Sequence, residues 1–143
     1  MRNEMKLEFK SLSENEKFAR MTAAAFVLGL DPTTEELSEI KTAISEAVTN
    51  AIIHGYKNSE GIITMTGKIV ENTVIFTVSD SGCGIENIKQ AREPLFSGAG
   101  DCERSGMGFT IMEAFMDSIS VESTVGHGTT LVLTKNISGG LYG

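Results

Sequence analysis

Hydrophobic side chains at the N-terminal end of the chain follow first a strand period and then a helix period. Residues 5–10 alternate between apolar and polar side chains, which predicts a short strand with one buried face. Apolar residues then recur at helical spacing, and Ser13 and Glu16 have the spacing of a capping box. A first helix is therefore predicted from Ser13 to about Gly29. Its apolar positions are Phe18, Met21, Ala25 and Leu28.

A second helix is predicted to begin at Thr33 and to end near His54–Gly55. Thr33 and Glu36 repeat the capping-box spacing at its start. On a wheel of about 100° per residue its apolar side chains form one stripe, which predicts one face on the core and one polar face. The stripe consists of Leu37, Ile40, Ile44, Val48 and Ala51.

The rest of the chain returns to period two, interrupted by one more helix. A β-hairpin is predicted over residues 62–79, a helix over 106–117 and a second hairpin over 119–134. Residues 81–105 show little regular pattern.

This order of elements predicts an α+β fold. Helices and hairpins are segregated, which indicates a two-layer α/β sandwich with the helices packed on one face of a mixed, mainly antiparallel sheet. We expect a single domain over residues 1–136 and a disordered tail over residues 137–143.

Composition and charge narrow the classes of function. The chain has 143 residues and a net charge of −7, which disfavours direct binding to nucleic acid. Its apolar stretches fall short of the ~20 residues that span a membrane, so no membrane binding is expected. Cys83 and Cys102 lack CxxC spacing. They indicate a reducing, cytoplasmic environment rather than a disulfide scaffold.

The second predicted helix carries a row of polar residues beside its apolar stripe. Glu46, Asn50 and His54 recur one turn apart. A carboxylate can orient a nucleophile, and an amide oxygen one turn away can hold Mg²⁺. The helix alone also fits a solvated polar face, because polar side chains four residues apart are common there.

Two glycine-bearing segments have the chemistry of ligand contacts. Asp80 ends a predicted strand, where its carboxylate can accept a hydrogen bond from the amine of adenine. Gly82 and Gly84 let the following chain fold closely against a flat ligand. The start of the third helix offers backbone N–H groups to phosphates. Its residues are Ser105, Gly106, Met107 and Gly108. Each segment alone also fits a local turn or hinge.

The order and spacing of these motifs resemble the Bergerat ATP-binding fold over nearly the whole chain. That superfamily includes the gyrase, Hsp90, MutL and histidine-kinase ATPases. Two stretches, SEAVTNAIIHGY at 45–56 and ERSGMGFTIME at 103–113, are similar to the anti-sigma F factor family of spore-forming bacteria. Members of that family are serine protein kinases that also hold a sigma factor inactive.

The resemblance implies ATP/ADP and Mg²⁺ as cofactors and a role for each matched residue. Glu46 is then the general base for the attacking hydroxyl, Asn50 the magnesium ligand and Asp80 the acceptor of the adenine amine. Arg104 is implied to contact the γ-phosphate, and Thr130 to lie close to the base. The implied pocket and phosphate-binding residues are Gly82, Gly84, Ser105, Gly106, Met107 and Gly108.

The resemblance also implies protein partners. These are a sigma factor, an anti-anti-sigma factor whose serine is phosphorylated, and a second copy of the chain in a homodimer formed through the N-terminal strand and helix. Glu16 and Arg20 are the implied partner-binding residues. A lid is implied over residues 94–105, and its glycines predict loose closure.

Three other functions share these motifs. They are a general-stress anti-sigma kinase, a histidine-kinase catalytic domain and a nonenzymatic module that binds partners in an ATP-dependent way. The sequence shows no phosphoacceptor helical hairpin, which disfavours the histidine kinase. Glu46 disfavours the module, because phosphotransfer or hydrolysis needs a carboxylate at that position whereas binding does not.

Overall fold

A five-stranded sheet forms the base of the computed structural model, which describes residues 2–85, 88 and 106–138. The strands are β1 (Arg2–Lys10), β2 (Ile62–Val70), β3 (Thr73–Asp80), β4 (Ser118–Thr124) and β5 (Gly128–Asn136). Their order across the sheet is β1-β2-β3-β5-β4, and each neighbouring pair is antiparallel. The described strands therefore form an antiparallel sheet rather than a mixed one.

Helices cover one face of this sheet. They are α1 (Glu14–Val27), α2 (Thr34–Thr49) and α3 (Gly106–Phe115), with a short 3₁₀ turn at Leu28–Leu30. The helix α2 packs against both α1 and α3. Alternate strand side chains fill the space between the layers, as their period of two requires. Among the most buried are Phe9, Ile63, Met65, Phe76 and Leu133. The predicted two-layer α/β sandwich is confirmed.

The helix α2 begins and packs as its sequence predicts. Thr33 Oγ1 accepts a hydrogen bond from Glu36 N at 3.0 Å, and Glu36 Oε1 accepts one from Thr33 N at 2.9 Å. These two bonds form the predicted capping box. The predicted apolar stripe faces the core, with Ile40, Ile44 and Val48 fully buried.

The folded part of the chain extends further towards the C-terminus than the sequence indicates. Ile137 is buried, and its N–H donates to Asn72 O at 2.8 Å. Ser138 N and Oγ both donate to Glu36 Oε2, at 2.8 and 2.9 Å. Both residues, which the sequence assigns to the tail, therefore belong to the folded body. Residues 139–143 lie outside the described residues.

The helix α1 packs through a different face from the one its large apolar residues predict. Its buried side chains are Ala19, Ala23, Ala24 and Val27. Phe18, Met21 and Leu28 are instead 53%, 58% and 59% exposed. The predicted capping box at Ser13 is also wrong, because the Ser13 side chain makes no cap hydrogen bond. Small alanine side chains let the α1 backbone approach the core closely, and this contact fixes the orientation of the helix.

A π-helical segment, Asn50–Gly55, extends α2 to the predicted end of the helix. The wider turn changes the direction of the side chains that follow Thr49. Short π-helical segments inside α-helices often occur at functional sites. Here the segment begins at Asn50, one of the candidate site residues.

Candidate ATP-binding and phosphotransfer site

The first turn of α3 meets the polar row of α2 at Gly108. A methyl group on Gly108 would lie 3.2 Å from Asn50 Nδ2, 3.4 Å from Asn50 Oδ1 and 3.3 Å from Glu46 Oε2. Asn50 and Gly108 are both buried. The fold therefore brings together three residues that the sequence singles out, and the absence of a side chain at Gly108 lets α3 approach the other two.

The π-helical segment connects this cluster to Asp80. At the end opposite Asn50, a methyl group on Gly55 would lie 2.9 Å from both Cγ and Oδ1 of Asp80. Tyr56 follows directly, and its hydroxyl accepts a hydrogen bond from Ser81 N and donates one to Ile62 O, both at 2.7 Å. One short segment therefore positions the candidate metal ligand at one end and supports the candidate adenine contact at the other.

The glycines after β3 permit close backbone contacts. Gly82 N donates to Asp80 Oδ1 at 2.9 Å, and a methyl group on Gly82 would lie 2.0 Å from Gly55 O. Gly84 has a φ of 80°, a left-handed conformation that favours glycine. Gly82 thus lets the loop lie against Gly55, and Gly84 lets it lie against Thr124, whose carbonyl oxygen a methyl group on Gly84 would meet at 2.4 Å.

Cys83 is disulfide-bonded in the structure. The sequence favours reduced cysteines over a disulfide scaffold, and the bond at Cys83 departs from that expectation. The other cysteine, Cys102, lies outside the described residues.

Thr130 does not lie beside Asp80. In the β3–β5 register Thr130 pairs with Ser79, and their hydroxyl oxygens are 3.1 Å apart. Asp80 pairs with Thr129, which is buried on the face of the sheet that the helices cover. Because neighbouring residues of a strand point to opposite faces, Thr129 rather than Thr130 shares the face of Asp80, and the contact of Thr130 with the base stays a prediction.

Only part of the predicted phosphate-binding segment can be located. Gly106, Met107 and Gly108 form the first turn of α3, where backbone N–H groups have no partner within the helix and suit an anion. Arg104, Ser105 and the predicted lid over 94–105 lie outside the described residues.

Glu46 lies between the α3 start and the helix α1. Burial raises the pKa of the Glu46 carboxyl above its usual range, and the negative charge of Glu16 raises it further. Glu16 also pairs with Arg20, with Glu16 Oε2 and Arg20 Nε 3.5 Å apart. Glu16, one of the two predicted partner-binding residues, therefore lies within electrostatic range of the candidate general base.

This arrangement predicts a pH dependence of phosphotransfer. A general base must be ionised, so the acid limb of kcat/KM should lie above the usual range of a glutamate. Replacing Glu16 by glutamine removes a negative charge near Glu46, which lowers the pKa of Glu46 and moves that limb to lower pH. Measured pH–rate profiles of Glu16→Gln and wild type test this. Glu14→Gln, the same change at an exposed position, is the control. An acid limb at the same pH in all three proteins would contradict an electrostatic effect of Glu16 on Glu46.

Asn50 has the chemistry and the position of a magnesium ligand. Its amide oxygen is a hard donor, and it lies beside the space that a Gly108 side chain would fill. The residues that the structure describes contain no cluster of three or more His, Cys, Asp or Glu side chains that could hold a metal alone. This fits Mg²⁺, which usually binds through one or two protein groups together with waters and phosphates.

Residues 9–135 match the model of the histidine kinase-like ATPase domain family. The fold agrees with a nucleotide-free catalytic domain of the histidine kinase ThkA, with a TM-score of 0.56 and 18% identity over 93% of this chain and 98% of that one. The chain therefore belongs to the histidine kinase-like ATPases and has their Bergerat-type fold. No helix in the described part of the chain is long and apolar enough to cross a membrane.

Within this class the sequence matches a narrower group. The anti-sigma F factor of Geobacillus stearothermophilus is 60% identical over 136 residues, covering 94% of this chain and 93% of that protein. The anti-sigma F factor of Anoxybacillus flavithermus is 57% identical over 139 residues, covering 96% and 95%. That of Bacillus licheniformis is 55% identical over the same length. The chain belongs to the anti-sigma F factor family.

Proposed function

We propose that this protein is an ATP-dependent serine kinase that phosphorylates and inactivates an anti-anti-sigma factor, and that it binds and inhibits a sporulation sigma factor. The observation that carries the proposal is the cluster of Glu46, Asn50 and Gly108. It combines a carboxylate, an amide oxygen and a helix start within contact distance of one another. Membership of the anti-sigma F factor family supports the choice of partners.

In this proposal each part of the site has one task. Asp80 accepts the adenine amine, and the N–H groups of the first turn of α3 hold the phosphates. Asn50 holds Mg²⁺, which supplies positive charge to the transferring phosphoryl group. Glu46 accepts the proton of the serine hydroxyl while the serine oxygen bonds to the γ-phosphorus and ADP leaves. A carboxylate with a raised pKa is a stronger base once ionised, which suits this step.

The surface of α1 supports the proposed homodimer. Phe18 and Met21 of α1 and Leu28 of the following 3₁₀ turn are exposed, and contiguous exposed apolar side chains often mark protein interfaces. The predicted dimer region, the N-terminal strand and helix, contains this surface. Glu16 and Arg20 lie on another side of α1, close to Glu46, where they can contact a protein substrate or the sigma factor.

Label transfer tests the proposed activity directly. The protein is incubated with γ-labelled ATP, Mg²⁺ and a purified anti-anti-sigma factor, with a serine-to-alanine acceptor as control. We expect label on the wild-type acceptor alone, and none after chelation of Mg²⁺. ATP binding without label transfer would instead identify a nonenzymatic module. Preferential binding of a general-stress sigma factor over a sporulation sigma factor would identify the related general-stress kinase.

A further inference from the structure

A polar groove of about 440 Å³ lies between α1 and α2. Its volume is within the range of small ligand sites. Two of its lining residues come from α1 and four from one stripe of α2. They are Glu16, Arg20, Ser38, Lys41, Thr42 and Ser45.

The groove ends at Thr42 and Ser45, next to Glu46 along α2. Thr42, Glu46 and Asn50 follow one another at intervals of four residues, so their side chains form one row about 6 Å apart along α2. Asn50 ends this row at Gly108, on the candidate phosphate side, whereas Thr42 ends it in the groove. A hydroxyl bound at this end of the groove would lie about one helical turn from Glu46.

The charges in the groove favour an acidic occupant. Glu16 and Arg20 form an ion pair with each other, with Glu16 Oε2 and Arg20 Nε 3.5 Å apart. Lys41 makes no ion pair with any described residue, so its ammonium group is available to a ligand in the groove. A carboxylate on a bound polypeptide would complement that charge.

An unsatisfied hydroxyl gives a second, independent sign of a ligand. Ser45 Oγ is buried and has no hydrogen-bond partner among the residues that the structure describes. Buried polar atoms without partners are rare and destabilising in native proteins. Ser45 lines the groove directly before Glu46, where a bound chain could supply the missing partner.

We infer that this groove binds the acidic segment that carries the acceptor serine of the protein substrate, with Lys41 pairing to a carboxylate and Ser45 hydrogen-bonding the backbone of that segment. The inference rests on the proposed kinase function. Lys41 and Ser45 are positioning residues, because they hold the acceptor and take no part in proton or phosphoryl transfer.

Charge reversal at Lys41 tests the inferred pairing of Lys41 with a carboxylate of the substrate. We expect Lys41→Glu to raise the KM for the anti-anti-sigma factor at least about tenfold, while kcat and the KM for ATP stay within about twofold. Lys41→Arg, which keeps the charge, should retain most of the wild-type KM. Lys68→Glu is the matched control on the opposite face of the sheet and should leave both KM values unchanged. An unchanged acceptor KM in Lys41→Glu would overturn the inference.

Replacing Ser45 by alanine tests the second contact. We expect the KM for the acceptor to rise about threefold to tenfold, because one hydrogen bond to the substrate is lost. The melting temperature should stay the same or rise, since the variant removes an unsatisfied buried hydroxyl. A lower melting temperature with an unchanged acceptor KM would show that Ser45 has only a structural role.

Equilibrium binding separates this inference from the kinase proposal. The acceptor protein is titrated into wild type, Lys41→Glu and Lys68→Glu in the presence of ADP and Mg²⁺. If wild type binds but transfers no phosphate, the kinase proposal fails, and selective weakening in Lys41→Glu still supports the groove. Equal affinity of all three proteins would overturn the groove, as would a wild type that does not bind the acceptor.

Discussion

Glu46→Gln should lower the rate of phosphate transfer to the anti-anti-sigma factor by about 100-fold to 10,000-fold, the usual contribution of a general base. Glutamine has nearly the same shape as glutamate but cannot accept the proton of the attacking hydroxyl. The affinity for ATP should remain within about threefold of wild type, because the proposed nucleotide contacts lie on Asp80, Asn50 and the start of α3. Single-turnover transfer and equilibrium ATP binding measure the two effects separately.

The same variant should fold at least as stably as wild type at neutral pH. Burial and the charge of Glu16 raise the pKa of Glu46, so the ionised form is disfavoured in the folded state. The contribution of Glu46 to stability is therefore greatest below its unfolded pKa and is lost as pH rises through the folded one. Glutamine stays neutral and avoids this loss. Thermal melting at pH 7 compares the stability of Glu46→Gln with that of wild type, and Glu35→Gln, at an exposed position, is the control.

Either of two results would contradict the role of Glu46. One is phosphotransfer by Glu46→Gln at close to the wild-type rate, which would mean that positioning and charge stabilisation suffice without a base. The other is loss of ATP binding in parallel with activity, which would make Glu46 part of the nucleotide site. Glu35→Gln should transfer phosphate at the wild-type rate.

The sequence predicted α2 accurately because its local and long-range signals agree. The capping box at Thr33 depends on residues three positions apart, and the apolar stripe has a regular helical period. The polar row that contains Glu46 and Asn50 follows from the same period. The π-helical segment after Thr49 could not be predicted in this way, since a single wider turn leaves little trace in a hydrophobic pattern.

Two features of the fold depend on distant parts of the chain and could not be predicted from local pattern. Both faces of α1 carry apolar residues at helical spacing, and contact with the core selects the alanine face over Phe18 and Met21. Side-chain direction in β5 depends on its pairing with β3, which turns Thr129 rather than Thr130 towards the helix layer. Counting alternate residues back from buried Leu131 and Leu133 would have identified Thr129.

The sequence gives no reason to single out Gly55, because the contacts that require a glycine there form only in the folded chain. Asp80 is 25 residues further along the chain, yet its carboxylate lies against the Gly55 backbone. The loop glycine Gly82 contacts the carbonyl of the same residue. Gly55 therefore supports the proposed adenine contact, just as Gly108 lets α3 approach the residues proposed to act on the phosphates.

Gly108→Ala should lower phosphotransfer by about tenfold, less than the ~100-fold expected when reacting groups are misplaced by about 1 Å. The new methyl group would meet the side-chain ends of Asn50 and Glu46 at 3.2–3.4 Å, so both must move from the positions proposed for magnesium binding and proton transfer. Alanine favours a helix over glycine by about 1 kcal/mol, which offsets part of the crowding and should keep the free energy of unfolding close to wild type.

Chemical denaturation, equilibrium ATP binding and label transfer on Gly108→Ala distinguish a damaged site from a damaged fold. The control is Ala114→Gly, the reverse exchange at an exposed position of the same helix, which should lose some stability and no activity. The two variants alter helix propensity in opposite directions. If only Gly108→Ala loses activity, the loss comes from the contacts of the new methyl group with Asn50 and Glu46. Wild-type phosphotransfer by Gly108→Ala would show that the close approach of α3 to these side chains is not required for the reaction.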